Sequence, residues 1–228
     1  LIVGSEGTLG VVTGATLRLV PKQRYTALIY APFDSAKGAA SAVSDIISRK
    51  IVPYGLEYMP QHAVLTAERY LERKLPDNQH PAYLIVAVEA NTEVELERQL
   101  ETAGMICLEN GAVDAYIADT EQRQQQIWEA RKCLFDAYLA YYVLDEADVC
   151  IPRSDIPEYI ERAEKIGEKH EVLLVPIGHA GDGNLHYNII KQDQTDEEWP
   201  EVMETTLSDL LDLALGMGGT ISGEHGLG

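Results

Sequence analysis

The spacing of apolar and polar positions divides the chain into short, alternating elements. A loosely alternating run from Val11 to Val20, closed by Pro21, reads as a strand. Tyr25–Tyr30 reads as a second. Asp34 offers a cap for a helix to about Arg49, where Ala39, Ala42, Val43, Ile46 and Ile47 recur at helical spacing. A short strand, Tyr54–Tyr58, precedes a helix from Gln61 to Lys74, which Pro76-Asp77-Asn78 breaks. Ala82–Val88 is almost continuously apolar and of strand length, the mark of a central strand. Thr92 caps a helix to about Leu108, Ala112–Ile117 is a strand, and Thr120 caps one long helix through Tyr141.

The second half repeats this order. Asp148–Ile151 is a strand ended by Pro152, and Ser154 caps a helix to about His170, with Pro157 tolerated in its first turn. Val172–Ile177 and Leu185–Ile190 are strands joined through a Gly-Asp-Gly turn. Thr195 opens a last helix to about Leu215. The expected fold is α+β: a mainly antiparallel, ferredoxin-like sheet, single or doubled, with helices packed on one face.

Composition changes this picture little, but charge excludes partners. Acidic residues number 37 against 18 basic, for a net charge of −19. Such a field repels nucleic acid and anionic membrane surfaces, so neither is an expected partner. No apolar run is long enough to span a membrane. An anionic substrate needs a locally positive site, from a metal or an arginine. Cys107, Cys133 and Cys150 lack zinc-knuckle or redox spacing and read as reduced thiols of a cytoplasmic protein. The chain opens in the apolar run Leu1-Ile2-Val3 and stops at Gly228 in a glycine-rich turn, which reads as part of a larger protein.

Candidate chemistry concentrates in Gly178-His179-Ala180-Gly181-Asp182-Gly183-Asn184-Leu185-His186 and Ser222-Gly223-Glu224-His225-Gly226. The first brackets a turn with two imidazoles, which a chain reversal points into one space. The second adds a carboxylate and a third imidazole. A His/His/carboxylate set leaves coordination positions open for a substrate, and Zn²⁺, Mn²⁺ or Fe²⁺ suits it. Asp182 reads as a turn residue bonding its own backbone. Asn188 shares the strand face of His186. Arg131 alone is one helix arginine among several, and His62, His80 and His170 read as surface residues without local partners.

Three ordered stretches carry a family resemblance: Gly4-Ser5-Glu6-Gly7-Thr8-Leu9-Gly10-Val11-Val12-Thr13, Pro176 through Asn188, and Ser222-Gly223-Glu224-His225-Gly226. Trp128-Glu129-Ala130-Arg131-Lys132 and Val149-Cys150-Ile151-Pro152-Arg153-Ser154 fit between them. The chain resembles the FAD-linked oxidases and dehydrogenases of the vanillyl-alcohol oxidase superfamily, above all its D-lactate dehydrogenase, D-2-hydroxyglutarate dehydrogenase and glycolate oxidase branch. The resemblance implies that residues 1–23 are a remnant of the FAD-binding domain. Residues 24–228 would then be the substrate-binding (cap) domain, truncated at its C-terminus.

It further implies that His179, His186 and Glu224 hold a divalent metal, that His225 is the catalytic base, and that Arg131 and Asn188 bind substrate. Gly7, Thr8, Gly10 and Val12 would touch FAD. The implied reaction oxidises a D-2-hydroxy acid of glycolate or D-lactate type to the 2-oxo acid, and the isolated fragment is expected to be inactive. Asp145, Glu146 and Asp148 stand where other branches carry a second cation, which argues against a substrate with two carboxylates. An iron–sulfur or electron-carrier subunit, and through it a peripheral membrane location, belongs to the same expectation. A metal-dependent hydrolase and a structural metal-binding domain without catalysis are the alternatives.

Overall fold

The computed structural model describes residues 2, 5 and 8–226. Its first half runs β1 (Tyr25–Phe33), α1 (Ala36–Ser48), β2 (Gly55–Pro60), α2 (Gln61–Leu71), β3 (Ala82–Ala90), α3 (Glu93–Glu109) and β4 (Tyr116–Ala118). These strands form one antiparallel sheet in the order β2-β3-β1-β4. With α2 set aside as an insertion, that is the strand order of a ferredoxin-like βαββαβ unit. The apolar run of β3 makes it an inner strand, paired to β1 from Tyr25↔Ala90 to Phe33↔Ala82.

After α4 (Glu121–Lys132) and α5 (Leu134–Tyr141) the unit recurs as β5 (Leu144–Cys150), α6 (Ile156–His170), β6 (Leu173–Ile177), β7 (Asn184–Ile190) and α7 (Trp199–Gly216). The second sheet has the order β5-β7-β6. Thr220 bridges Cys150 on the outer edge of β5, where a fourth ferredoxin strand belongs. The doubled form of the expected fold is therefore the one observed.

Equivalent edge strands join the halves. The Tyr58 N–H donates to the Gly178 carbonyl at 2.9 Å, Gly178 N–H returns the bond at 3.2 Å, and Gly181 N–H donates to Leu56 at 3.1 Å. Helices cover both faces, not the single face expected. Helices α1, α3, α6 and α7 share one core with the inward residues of both sheets, while α2, α4 and α5 pack a second core on the opposite side. Strand alternation is the reason. Nearly every residue of β1 and β3 is buried, so both of their faces need a cover.

Local differences have local causes. Val11–Val20 forms no strand: Val11 and Leu19 are 85% and 87% exposed, and no described strand lies beside them to complete a ladder. The long helix from Thr120 is two helices meeting at Cys133, and α5 turns Leu134, Ala137 and Tyr138 inward. Strand β4 is shorter than Ala112–Ile117, because Ala112 makes only an isolated bridge to Phe33. Strand β5 begins at Leu144, its start hidden in the sequence by Asp145 and Glu146. Ser35 and not Asp34 caps α1, and a short 3-10 turn at Arg153–Asp155 precedes α6.

Candidate active site

The second sheet has two chemically opposite faces. β7 sends Leu185, Tyr187 and Ile189 into the larger core, while His186 and Asn188 look the other way. In β5, Asp148 and Glu146 stand opposite His186 and Asn188 in register. Helices α4 and α5 wall this polar face and leave a cavity of about 500 Å³. Leu134, Phe135, Tyr138 and Ile177 supply its apolar side.

The turn after β6 places His179. Asp182 N–H donates to the His179 carbonyl at 2.9 Å and Asn184 N–H at 3.3 Å, with Gly183 at φ +80°, where glycine alone is unstrained. Asp182 takes part in the turn through its backbone N–H; no hydrogen bond of its carboxylate to the turn is found among the described residues. The Glu-His segment is set by a different carboxylate: Asp148 Oδ2 accepts the N–H groups of Gly223, Glu224 and His225 at 2.9, 2.7 and 2.7 Å. Its Oδ1 accepts from the Asn184 amide at 2.7 Å. Burial pushes the Asp148 carboxyl up, but the His225 N–H, the Asn184 amide and the Glu224 N–H outweigh it and hold the group below the ordinary range.

Three donor atoms converge as a result. Glu224 Oε1 lies 3.5 Å from His179 Nε2 and 3.3 Å from His186 Nε2. Tetrahedral ligands at zinc bond lengths of about 2.0–2.1 Å stand roughly 3.3 Å apart. The ring chemistry agrees. His179 Nδ1–H donates to Glu57 Oε1 at 2.8 Å, so Nε2 carries the free lone pair. His186 Nδ1 is buried without a hydrogen-bond partner and faces Glu146 and Asp148, each at 3.6 Å. The residues present fit a divalent metal.

His225 stacks on His186 with ring centroids 4.8 Å apart. Its Nδ1 lies 2.9 Å from Glu146 Oε1, an ion-pair contact that puts a carboxylate against the ring. Arg131, in the last turn of α4, donates Nε–H to Glu57 Oε2 at 2.9 Å. The hydrogen bond to Glu57 raises the His179 pKa against the opposing effect of burial. Asn188 donates to the Val175 carbonyl at 3.4 Å and lines the cavity.

His179, His186, Asn188, Glu224, His225 and Arg131 therefore share one cavity. Thr8, Gly10 and Val12 lie exposed near the N-terminus and do not line it, and Gly7 lies outside the described residues. The three histidines read as surface residues without local partners are half-buried and partnered: His80 has a local partner after all, Asp77, while His62 meets Tyr138 and His170 meets Asp209. For His62 and His170 the partner is distant in sequence and brought in by packing. Sequence reasoning missed Glu57 altogether and the orienting roles of Glu146 and Asp148. A lone acid inside the apolar strand Leu56-Glu57-Tyr58-Met59 was the available signal.

Comparison with known proteins identifies the family and the fold. Residues 22–228 match the family described as FAD linked oxidases, C-terminal domain. The chain is 32% identical to a D-lactate dehydrogenase of Anaerostipes hadrus, over all of this chain and 49% of that protein. It is 34% identical to a D-lactate dehydrogenase of Archaeoglobus fulgidus and 36% identical to glycolate oxidase subunit GlcD of Bacillus subtilis, covering 49% and 48% of them. The chain thus spans about half the length of these relatives. Among solved structures, p-cresol methylhydroxylase superposes with a TM-score of 0.64 at 14% identity, over 88% of this chain and 45% of that one. Alkyldihydroxyacetonephosphate synthase gives 0.59 at 16%, over 96% and 44%. These last two show the fold alone. By the match over most of its length and by its curated relatives, the chain belongs to the FAD-linked oxidases, as their C-terminal domain.

Proposed function

We propose that residues 24–228 are the substrate-binding domain of an FAD-dependent enzyme that oxidises a D-2-hydroxy monocarboxylate, of glycolate or D-lactate type, to the 2-oxo acid. Residues 1–23 are, in this reading, the end of the FAD-binding domain. The observation that carries it is the convergence of His179, His186 and Glu224 in the same cavity as Arg131 and His225. The relatives named as D-lactate dehydrogenases and a glycolate oxidase subunit support the substrate class.

His179, His186 and Glu224 hold a divalent metal, with Zn²⁺ suited and Mn²⁺ or Fe²⁺ acceptable to the same donors. A metal held there would supply Lewis acidity toward the bound hydroxy acid, and FAD would supply the hydride acceptor. The guanidinium of Arg131 anchors the substrate carboxylate and fixes the direction of Cα. His225 Nε2 takes the hydroxyl proton, and Glu146 stabilises the imidazolium that forms. Arg131 is the one cation lining the cavity among the described residues, and Glu146 is an acid beside it. A second substrate carboxylate finds no partner there. Leu134, Phe135 and Ile177 suit a short apolar side chain. An acceptor subunit with an iron–sulfur or other electron carrier, and a cytoplasmic location, belong to the same proposal. Among the described residues no helix is long and apolar enough to cross a membrane.

The test is the visible spectrum of the full-length protein without oxygen, before and after D-lactate or glycolate. Flavin bands that bleach support the reading. Bands that persist with both acids overturn the substrate, and folded protein without flavin overturns the class. His225→Gln is expected to keep the flavin bands and slow bleaching by about 10²–10⁴-fold.

A further inference from the structure

Glu57 lies on β2, in the other ferredoxin-like unit from the histidine turn and the Glu-His segment. Its side chain is 8% exposed. One oxygen faces His179 Nδ1 at 2.8 Å and the other faces Arg131 Nε at 2.9 Å. A carboxylate buried in an apolar strand is costly unless its bonds are made, and here both oxygens are used. We propose that Glu57 is a positioning residue that ties the metal subsite to the carboxylate subsite. This rests on the proposed metal and substrate reading and adds a role for a residue that touches neither ligand.

The argument is one of donors and acceptors. His179 Nδ1–H and Arg131 Nε–H both donate, so the residue between them must accept twice. An ionised carboxylate does so with a separate oxygen for each donor; an amide has one oxygen and turns an N–H₂ to the other donor. Taking Nδ1–H fixes the tautomer of His179 and leaves Nε2 bare toward His186 and Glu224. Taking Nε–H fixes the guanidinium edge-on and leaves its two Nη groups for the substrate carboxylate. One side chain thereby sets both the lone pair that meets the metal and the fork that meets the substrate. The seam between the units supports it. Tyr58, next to Glu57, exchanges both backbone bonds with Gly178, next to His179, so Glu57 and His179 are held in fixed register.

Glu57→Gln makes the two roles compete. If the amide oxygen stays with Arg131, the amide N–H₂ faces His179, moves its proton to Nε2 and blocks the metal. If the oxygen stays with His179, the N–H₂ opposes Arg131 and frees the guanidinium.

The experiment uses the full-length flavoprotein stripped of metal. Zn²⁺ affinity is measured by competition with a chelator, and pyruvate affinity by titration of the zinc-loaded form. Glu57→Gln is expected to weaken Zn²⁺ or pyruvate binding by about 10–100-fold. Both affinities unchanged overturn the proposal. Wild-type protein that binds no Zn²⁺ overturns the metal reading itself, a different result. Should the variant fail to fold, ¹⁵N spectra of the stripped wild type under alkaline conditions decide. A proton on His179 Nδ1 with Nε2 bare is expected, and the reverse tautomer overturns the proposal.

Discussion

Asp148 shows how one side chain assembles the site without touching a ligand. Its Oδ2 collects three successive N–H groups of the Glu-His turn, and its Oδ1 collects Asn184. The lowered pKa of the carboxyl means that the folded turn favours the ionised form. This contribution is fully present above the unfolded-state value and is lost as pH falls through the lower folded one, so the turn holds across the neutral range. Asp148→Asn removes the charge and turns an N–H₂ group toward donors. Stability is expected to fall by about 1–3 kcal/mol in thermal or urea melts. Turnover is expected to fall by about 10²-fold through misplacement of Glu224 and His225. A variant with wild-type turnover would show that the turn finds its place unaided.

At the scale of elements, legibility follows periodicity. The helices from Ala36, Glu93 and Trp199 and the strand Ala82–Ala90 could be read because a cap or an unbroken apolar run marks them. The start of β5 could not, since Asp145 and Glu146 follow Leu144 directly and only from Glu146 do acids toward the site alternate with Ala147 and Val149 toward the core, so the acids mask the strand. The break at Cys133 was equally hidden, because the sequence remains helical on both sides of it. Of the residues gathered at the cavity, His179, His186, Glu224 and His225 stood out because glycines and paired histidines set them apart, whereas Arg131, one helix arginine among several, was singled out only by the family resemblance. Glu57, Glu146 and Asp148 were not, because their meaning lies in partners from other elements. The seam between the units likewise depends on a residue with no side chain. A methyl group at Gly178 would run into the Asn184 carbonyl oxygen and lie 2.8 Å from Leu185 Cα. Gly178→Ala is expected to cost about 1–3 kcal/mol in a thermal melt, by overpacking. It should also weaken Zn²⁺ binding in a chelator titration, since His179 is the next residue. Unchanged melting and binding would mean that the seam yields without disturbing the turn.

At the scale of the molecule, the doubled topology raises the question of whether the two units are independent. Their topologies are separable, but their cores are not. One apolar cluster contains Ile29 and Leu84 from the first sheet together with Val149 and Tyr187 from the second, and α1 packs on α6 across the joint. Small residues on α1, among them Ala39, Ala40 and Ala42, are fully buried in this cluster. Either unit alone would leave its half of this cluster in water, at a cost of about 25 cal/mol for each Å² of apolar surface exposed. The expectation is one cooperative transition for the whole of residues 24–226. In calorimetry the measured enthalpy should then equal the van't Hoff enthalpy. Two resolved transitions, or a van't Hoff enthalpy well below the measured one, would show that the units melt separately and that the shared core is weaker than its burial indicates. A single transition has a direct consequence for the site. Arg131 and Glu57 come from the first unit and its following helix, while His179, His186, Glu224 and His225 come from the second. The cavity then exists only while both units are folded, and loosening either one at a distance should cost metal binding as well as stability.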